Sequence, residues 1–252
     1  MAVCCGGWGD EQRTEDNMRS LARVLLSGGM DSALCLAWAC DTFIDVDAVA
    51  FDYGQRHSKE LDRARAIADL MRVPMTVRKV RFLKGALVGD GDDLSAEGAV
   101  VKGRNQAFLL GALTPAPPPA VLIMGACLDD RAVFEDCRPE FFHEVQQGFH
   151  PKGIQILTPL IEQRKADIAR ELSKRAELLA LTWSCYSGGE YPCGCCGACI
   201  ARSAGFRLAG LDDPQPTDPR LAVECPFCTA KAGHYCYHPH HGFVGFHKER
   251  RA

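Results

Sequence analysis

The segment Val24-Leu25-Leu26-Ser27-Gly28-Gly29-Met30-Asp31-Ser32 constrains this chain more than any other. Its short apolar run reads as a buried strand. Two glycines follow, where a chain can turn sharply with no β-carbon in the way. From Ser32 onward, Ala33-Leu34-Cys35-Leu36-Ala37-Trp38-Ala39 is apolar enough for a packed helix. A strand, a glycine turn and a helix start aim several backbone N–H groups at one point, at the positive end of a helix dipole. Such a point binds a phosphate-like anion. No lysine stands where a Walker loop needs one, which argues against a γ-phosphate kinase or motor. A ligand-free tight turn is the alternative, but it has no use for the polar side chains of Ser27, Asp31 and Ser32.

The rest of the chain alternates in the same way. Val46–Phe51 reads as a second strand and runs into the polar, glycine-broken Asp52-Tyr53-Gly54-Gln55-Arg56-His57. Ser58–Leu70 has helical spacing, with Leu61, Ala64, Ile67, Ala68 and Leu70 near one face. Met75–Val80 alternates like a strand. Leu87–Glu97 is rich in Gly and Asp and reads as a lid-like loop. Gly103-Arg104-Asn105 precedes an apolar helix through Leu113, and the prolines from Pro115 to Pro119 end it. Ala120–Ala126 is the clearest buried strand; polar residues Asp129 to Glu140 follow, then an amphipathic helix near Phe141–Gln147. Strands alternating with helices predict an α/β fold, a doubly wound parallel sheet with ligands at the carboxy ends of its strands. The expected organisation is a leader over 1–20, one main domain over 21–210, a linker over 211–224 and a small module over 225–252.

Bulk properties narrow the function. The 252 residues carry a net charge of −3, so there is no global nucleic-acid footprint. No apolar run is long enough for a membrane span, and the first residues lack a signal-peptide core. Of the 14 cysteines, eight crowd into the carboxy-terminal third in short C-x-x-C spacings. Without a secretion signal, that pattern favours metal thiolates in a reducing cytoplasm.

Two clusters follow from the spacing. Cys185, Cys193, Cys196 and Cys199 can enclose one tetrahedral Zn²⁺, with Gly194 and Gly197 permitting the tight turns. Cys195 belongs to an alternative register of poorer spacing, and a redox dithiol is the rival chemistry. Cys225, Cys228 and Cys236, with one histidine, make a Cys₃His set. His247 is the expected fourth ligand, because it returns after a glycine-broken loop; His238, His240 and His241 stand close behind. The locally basic tail Lys248-Glu249-Arg250-Arg251 fits contact with nucleic acid or a protein partner, and a stapled cap is the bland alternative.

Polar groups also gather after successive strands: Asp52, Tyr53, Gln55 and Arg56; Arg104 and Asn105; Asp136, Arg138 and Glu140. An arginine suits a substrate carboxylate or the charge on a transferring phosphoryl group. Lys165 begins a helix near the same edge and can offset phosphate charge.

These blocks stand in a known order. Ser27–Ser32, Phe51–His57, Gly103–Asn105, Asp136-Cys137-Arg138-Pro139-Glu140-Phe141, Thr158-Pro159-Leu160 with Lys165, and Thr182–Tyr186 before the cysteine knuckle resemble the 7-cyano-7-deazaguanine synthase family. The glycine loop resembles the pyrophosphatase-type PP-loop of enzymes that split ATP between its α and β phosphates. The resemblance covers about residues 22–206. It departs at Lys102, where the family usually has Pro, and at Phe134-Glu135, where Tyr-Pro is common; the module from Cys225 onward is extra.

The resemblance implies a Rossmann-like adenine nucleotide alpha hydrolase fold and an ATP-dependent carbon–nitrogen ligase. ATP would adenylate 7-carboxy-7-deazaguanine, ammonia would give the amide, and a second adenylation would give the nitrile, with Mg²⁺ accompanying ATP and structural Zn²⁺ on the first four cysteines. It further implies that Leu26, Ser27, Gly28, Gly29, Met30, Asp31, Ser32 and Ala33 bind ATP. Asp31, Ser32, Arg104, Asp136, Arg138 and Lys165 form the catalytic set, and Asp52, Tyr53, Gln55, Arg56, Asn105 and Glu140 bind the acid. A homodimer is what the family suggests.

Two other readings remain: a related ligase that stops at the amide or adenylates another acid, and an adaptor dominated by the carboxy-terminal module. Two variants separate enzyme from adaptor. For the enzyme, Asp31→Ala abolishes AMP release while removal of residues 212–252 spares it. For the adaptor, the truncation abolishes function and Asp31→Ala does not.

Overall fold

The computed structural model describes residues 20–54, 58–80, 100–114, 117–233, 236–238, 242–245 and 250. The expected leader up to residue 19, the lid near Asp90–Glu97, Gln55, Arg56 and His247 lie outside the described residues.

Strands β1 (Ala22–Leu25), β2 (Val46–Asp52), β3 (Met75–Lys79), β4 (Val121–Ile123) and β5 (Gln155–Leu157) form one sheet in the order β3-β2-β1-β4-β5. Every neighbouring pair is parallel. Parallel neighbours need crossover segments. Helices α1 (Met30–Thr42), α2 (Ser58–Met71), α3 (Arg104–Gly111) and α4 (Pro139–Phe149) follow β1 to β4 in turn. After β5 come α5 (Lys165–Ser173), α6 (Ala176–Leu181) and α7 (Gly197–Ala209). This is the expected doubly wound α/β sheet.

Burial explains the sequence patterns. Central strands β1 and β4 are buried at every position, whereas the edge strands β3 and β5 keep half-buried or exposed ones. Hence Val121-Leu122-Ile123 reads as continuous apolar sequence and Met75–Lys79 alternates. Successive strand residues feed opposite layers. Val24, Ala48, Ala50, Val121 and Ile123 pack with Ala33, Ala64, Ile67, Ile168 and Leu172 on one face. Leu25, Val49, Phe51 and Leu122 pack with Leu109 and Phe149 on the other. Arg23 is the exception inside β1. Its guanidinium grips Asp47 with Nε to Oδ1 at 2.7 Å and Nη2 to Oδ2 at 2.6 Å, and Nη1 donates to the Ala112 carbonyl at 2.9 Å.

Several local expectations shift. The strand read over Ala120–Ala126 pairs only over Val121–Ile123. The Met124 N–H still reaches the Leu157 carbonyl at 3.0 Å, after which the chain leaves the sheet. Helix α1 begins at Met30, two residues before Ser32, because the turn closes at Gly29. Strand β5 and helix α6 are short elements with no sequence expectation. The segment after α7 is tied down: Asp213 accepts Arg202 Nε and Nη2 at 2.7 and 2.8 Å, and Gln215 Nε2 donates to the Thr182 carbonyl at 3.3 Å. Beyond it, β6 (Cys236–His238) and β7 (Gly242–Gly245) pair antiparallel. Among the described residues no helix is long and apolar enough to cross a membrane.

Helix α7 closes against the first residue of α5 because position 205 carries no side chain. A β-carbon on Gly205 would lie 2.8 Å from Lys165 Cβ and 3.1 Å from its carbonyl carbon. Gly205→Ala is expected to cost about 1–3 kcal/mol as the two helices separate, measured as a lower Tm. An unchanged Tm would show that the helices part freely.

Candidate active site

The sheet reverses its winding between β1 and β4, and crossovers diverging from that point leave a crevice at the strand ends. Ser27-Gly28-Gly29 joins β1 to α1 there. Gly28 has φ +91°, and a β-carbon on it would lie 2.4 Å from the Glu60 carbonyl oxygen, so only glycine fits. Two hydroxyls shape the loop. Ser32 Oγ donates to the Gly29 carbonyl at 3.0 Å, accepts from the Ser27 N–H at 3.2 Å and lies 3.1 Å from Ser27 Oγ. Gly29 caps α1 without any side-chain acceptor, leaving the first-turn N–H groups to a ligand. From behind, the Trp183 N–H holds the Gly28 carbonyl at 2.9 Å.

Charge concentrates beside this loop. Lys165 Nζ lies 2.6 Å from Asp31 Oδ2 and 3.2 Å from Asp130 Oδ2, and the Lys165 N–H donates to Asp129 Oδ2 at 2.7 Å. Burial works against the ammonium, but Asp31 and Asp130 hold it well above the usual lysine range. Burial pushes the Asp31 carboxyl up; Lys165 opposes the shift and Asp130 adds to it. One cation shared by two carboxylates secures the cation better than either anion. Asp31 Oδ1 is buried with no hydrogen-bond partner.

A cavity of about 330 Å³ opens over these groups, within the range of small-molecule sites. Of the sequence-expected residues, Leu26, Ser27, Gly29, Met30, Asp31, Ser32, Tyr53, Arg104, Asn105 and Lys165 line it. Gly28 and Ala33 back the loop from inside, Ala33 being fully buried. Asp52, Asp136, Arg138 and Glu140 are not among the lining residues. Asp52 Oδ1 accepts from the Gly54 N–H at 3.1 Å; the Asp136 carbonyl accepts from Asn105 Nδ2 at 2.9 Å; Arg138 precedes α4 and its Nε donates to the Arg131 carbonyl at 3.1 Å. Glu140 lies in the first turn of α4.

Several further residues complete the lining. Phe51 and Phe108 stack at 4.5 Å, with Tyr53 tilted on Phe108 at 5.4 Å, giving one wall of rings. Arg202 and Glu60 come from helix positions with no motif around them, whereas Tyr186 closes the Thr182–Tyr186 block. Burial pushes the Glu60 carboxyl up to about 8, with Arg104 opposing.

Lining residues Ser184, Tyr186, Gly197 and Ala198 flank the first cysteine cluster in sequence. The Sγ atoms of Cys185, Cys193, Cys196 and Cys199 all lie within 4.8 Å of one another, a set that leaves out Cys195. None is in a disulfide. Backbone N–H groups of Cys193, Ser187 and Tyr186 point at their sulfurs from 3.2, 3.4 and 3.4 Å, and Cys196 caps α7 by accepting from the Cys199 N–H at 3.4 Å. Hydrogen bonds from Cys185, Cys195 and Cys196 pull the Cys193 thiol down. Four convergent sulfurs solvated by backbone donors form a set that could hold a tetrahedral metal ion.

Glu60 makes stability depend on pH. Its ordinary value is 4.5 and its folded value about 8, so folding favours the protonated form. The stability it lends is complete below the unfolded value and is lost as pH rises through the folded one. Glu60→Gln keeps the shape without titrating. Between pH 4.5 and 8 the native chain is expected to lose Tm relative to this variant. Parallel melting curves would show an ordinary carboxylate.

Comparison with known proteins agrees with this geometry. Residues 21–210 match the family model described as queuosine biosynthesis protein QueC. The chain is 36% identical over 214 residues to the 7-cyano-7-deazaguanine synthase of Brucella anthropi, spanning 76% of this chain and 90% of the relative. It is 36% identical over 217 residues to the same-named protein of Thermoplasma acidophilum, spanning 78% and 91%. With a family match over most of its length, relatives at this identity and a ligand crevice at the switch point, the chain belongs to the QueC family of queuosine biosynthesis proteins.

Proposed function

We propose that this chain is a cytoplasmic ATP-dependent ligase that converts 7-carboxy-7-deazaguanine and ammonia to 7-cyano-7-deazaguanine. The observation that carries the reading is the single cavity lining shared by the anion-binding loop, the Lys165 ion cluster and a wall of aromatic rings. A carboxylate is a poor electrophile. Its oxygen attacks the α-phosphorus of ATP, and the bond to pyrophosphate breaks. Ammonia then adds to the acyl carbon, AMP leaves and a proton is lost, giving the amide. The amide oxygen takes a second AMP, and loss of that AMP and of protons from nitrogen gives the nitrile.

Each step finds a group suited to it. The open N–H groups at the start of α1, with Ser27 and Ser32, receive the pyrophosphate. The Lys165 ammonium offsets charge that builds on the phosphoryl oxygens. Arg104 has the planar fork that pairs with a carboxylate, and Asn105 beside it is fixed by its bond to the Asp136 carbonyl. Phe51, Phe108 and Tyr53 offer ring faces to a flat heterocycle. The unpartnered Asp31 Oδ1, with Asp129 and Asp130 nearby, is an all-oxygen donor set that suits Mg²⁺. Bound with ATP, that ion neutralises pyrophosphate charge. Cys185, Cys193, Cys196 and Cys199 suit Zn²⁺, and a four-thiolate site has no open position for water, so its role is structural.

Kinetics of two variants test the assignment. Lys165→Ala is expected to lower kcat for AMP formation about 10²–10³-fold with the zinc content unchanged. Arg104→Ala is expected to raise KM for the carboxylate about 10–100-fold and to leave KM for ATP in place. AMP formation that ignores 7-carboxy-7-deazaguanine would assign the site to another acid.

A further inference from the structure

Beyond residue 210, where the family match ends, the described residues bring a second sulfur cluster together. The Sγ atoms of Cys225, Cys228 and Cys236 lie within 4.8 Å of one another, and none of the three is in a disulfide. Cys225 and Cys236 are fully buried. The Cys225-Pro226-Phe227-Cys228 knuckle is closed by the Thr229 N–H to the Cys225 carbonyl at 2.8 Å and by the Cys225 N–H to the Ala230 carbonyl at 2.9 Å. Thr229 takes φ 56°, a left-handed conformation that a β-branched residue adopts only under local constraint. Cys236 enters from β6, so two separate chain segments deliver sulfur to one point.

A buried cation sits on that point. Arg250 is 1% exposed. Its guanidinium donates to the carbonyls of Val223, Lys231 and Leu221 at 2.9, 3.2 and 3.5 Å, and its Nη1 lies 3.7 Å from Cys236 Sγ. A guanidinium is an unfavourable neighbour for a neutral thiol cluster in a desolvated core and a favourable one for thiolates. Three thiolates around a divalent cation carry one net negative charge, which a guanidinium against one of the sulfurs offsets. Three sulfurs also suit a metal better than a redox pair, since a disulfide would strand the third.

We propose that Cys225, Cys228 and Cys236 hold a second Zn²⁺ as thiolates, and that Arg250 is a positioning residue that balances the charge of that site. Zn²⁺ is the divalent ion that thiolates in a tetrahedral set select. Among the described residues, the three sulfurs and Arg250 make up the site. The metal then replaces the core that so short a module cannot build from apolar side chains. Nothing in this proposal depends on the substrate of the main cavity.

Zinc analysis of the purified full-length chain tests it directly. Two zinc ions per chain are expected, falling to one in the Cys225→Ser/Cys228→Ser double variant. Cobalt substitution gives a second readout: thiolate-to-cobalt absorption is expected from both clusters in the native chain and from the first alone in the double variant. One metal per native chain, or a disulfide among these three cysteines by mass spectrometry, overturns the site whether or not the variant folds. Arg250→Met is expected to weaken the second zinc about 10–100-fold against a chelator, leaving the first in place, and Arg250→Lys to recover most of that affinity. A methionine variant that holds its zinc like the native chain, or a lysine variant as weak as the methionine one, overturns the role of Arg250.

Discussion

The contact on which the crevice depends is the buried ammonium of Lys165 between two carboxylates. It joins residues 134 apart in sequence: Asp31 in the first turn of α1 and Lys165 at the start of α5, with Asp130 from the segment after β4 completing the set. These are the pieces that the divergent crossovers around β1 and β4 would otherwise leave separate. The arrangement is electrostatically incomplete, with one cation for two anions and an Asp31 oxygen that has no partner. An ion pair built for stability alone would be satisfied within the protein. An ion cluster short of positive charge beside open N–H groups is the feature on which the proposed ATP and Mg²⁺ site rests.

The part of the lining between Trp183 and Arg202 is held from outside. Trp183 is the link: its backbone N–H holds Gly28 at 2.9 Å, its indole donates to the Cys185 carbonyl at 3.2 Å, and the Lys59 ammonium lies 4.6 Å from its ring centre. From Cys185 the sulfur cluster runs to the cap of α7, and α7 returns to the cavity at Ala198, Ala201 and Arg202. Buried Arg202 is locked by its two-point pairing with Asp213. The four cysteines therefore meet the cavity through Trp183 and through helix α7. The connection to the carboxy-terminal module is anchored to this same wall through Asp213 and Gln215.

Much of this was legible in the amino-acid sequence, for physical reasons that differ between elements. The glycine loop was readable because its requirements are local: a strand end, a turn that admits no β-carbon and a helix start. The two cysteine clusters were readable because metal geometry restricts spacing. Strand β5 was not, because three residues at a sheet edge, two of them only half-buried, leave little apolar signature. Glu60 and Arg202 reach the cavity through tertiary packing across distant elements, and no local pattern marks them; Trp183 stands in the Thr182–Tyr186 block and Asp130 in the polar run after β4, but neither position announces its contact. The polar set after β4 shows the converse. Asp136, Arg138 and Glu140 look like a site in sequence; in the fold Arg138 and the Asp136 backbone carbonyl bond to a neighbouring loop and a helix start, while Asp129 and Asp130 from the same run line the cavity. Charged residues after a strand mark where a site lies more reliably than which side chains enter it.

The central claim is that this crevice makes a carboxylate attack the α-phosphorus of ATP. The most direct measurement is the fate of oxygen in a single turnover with 7-carboxy-7-deazaguanine labelled with oxygen-18 in its carboxylate. Attack at the α-phosphorus followed by displacement by ammonia must carry one labelled oxygen into AMP and none into pyrophosphate. Labelled AMP is the predicted result. Unlabelled AMP, or label in pyrophosphate, would contradict the account.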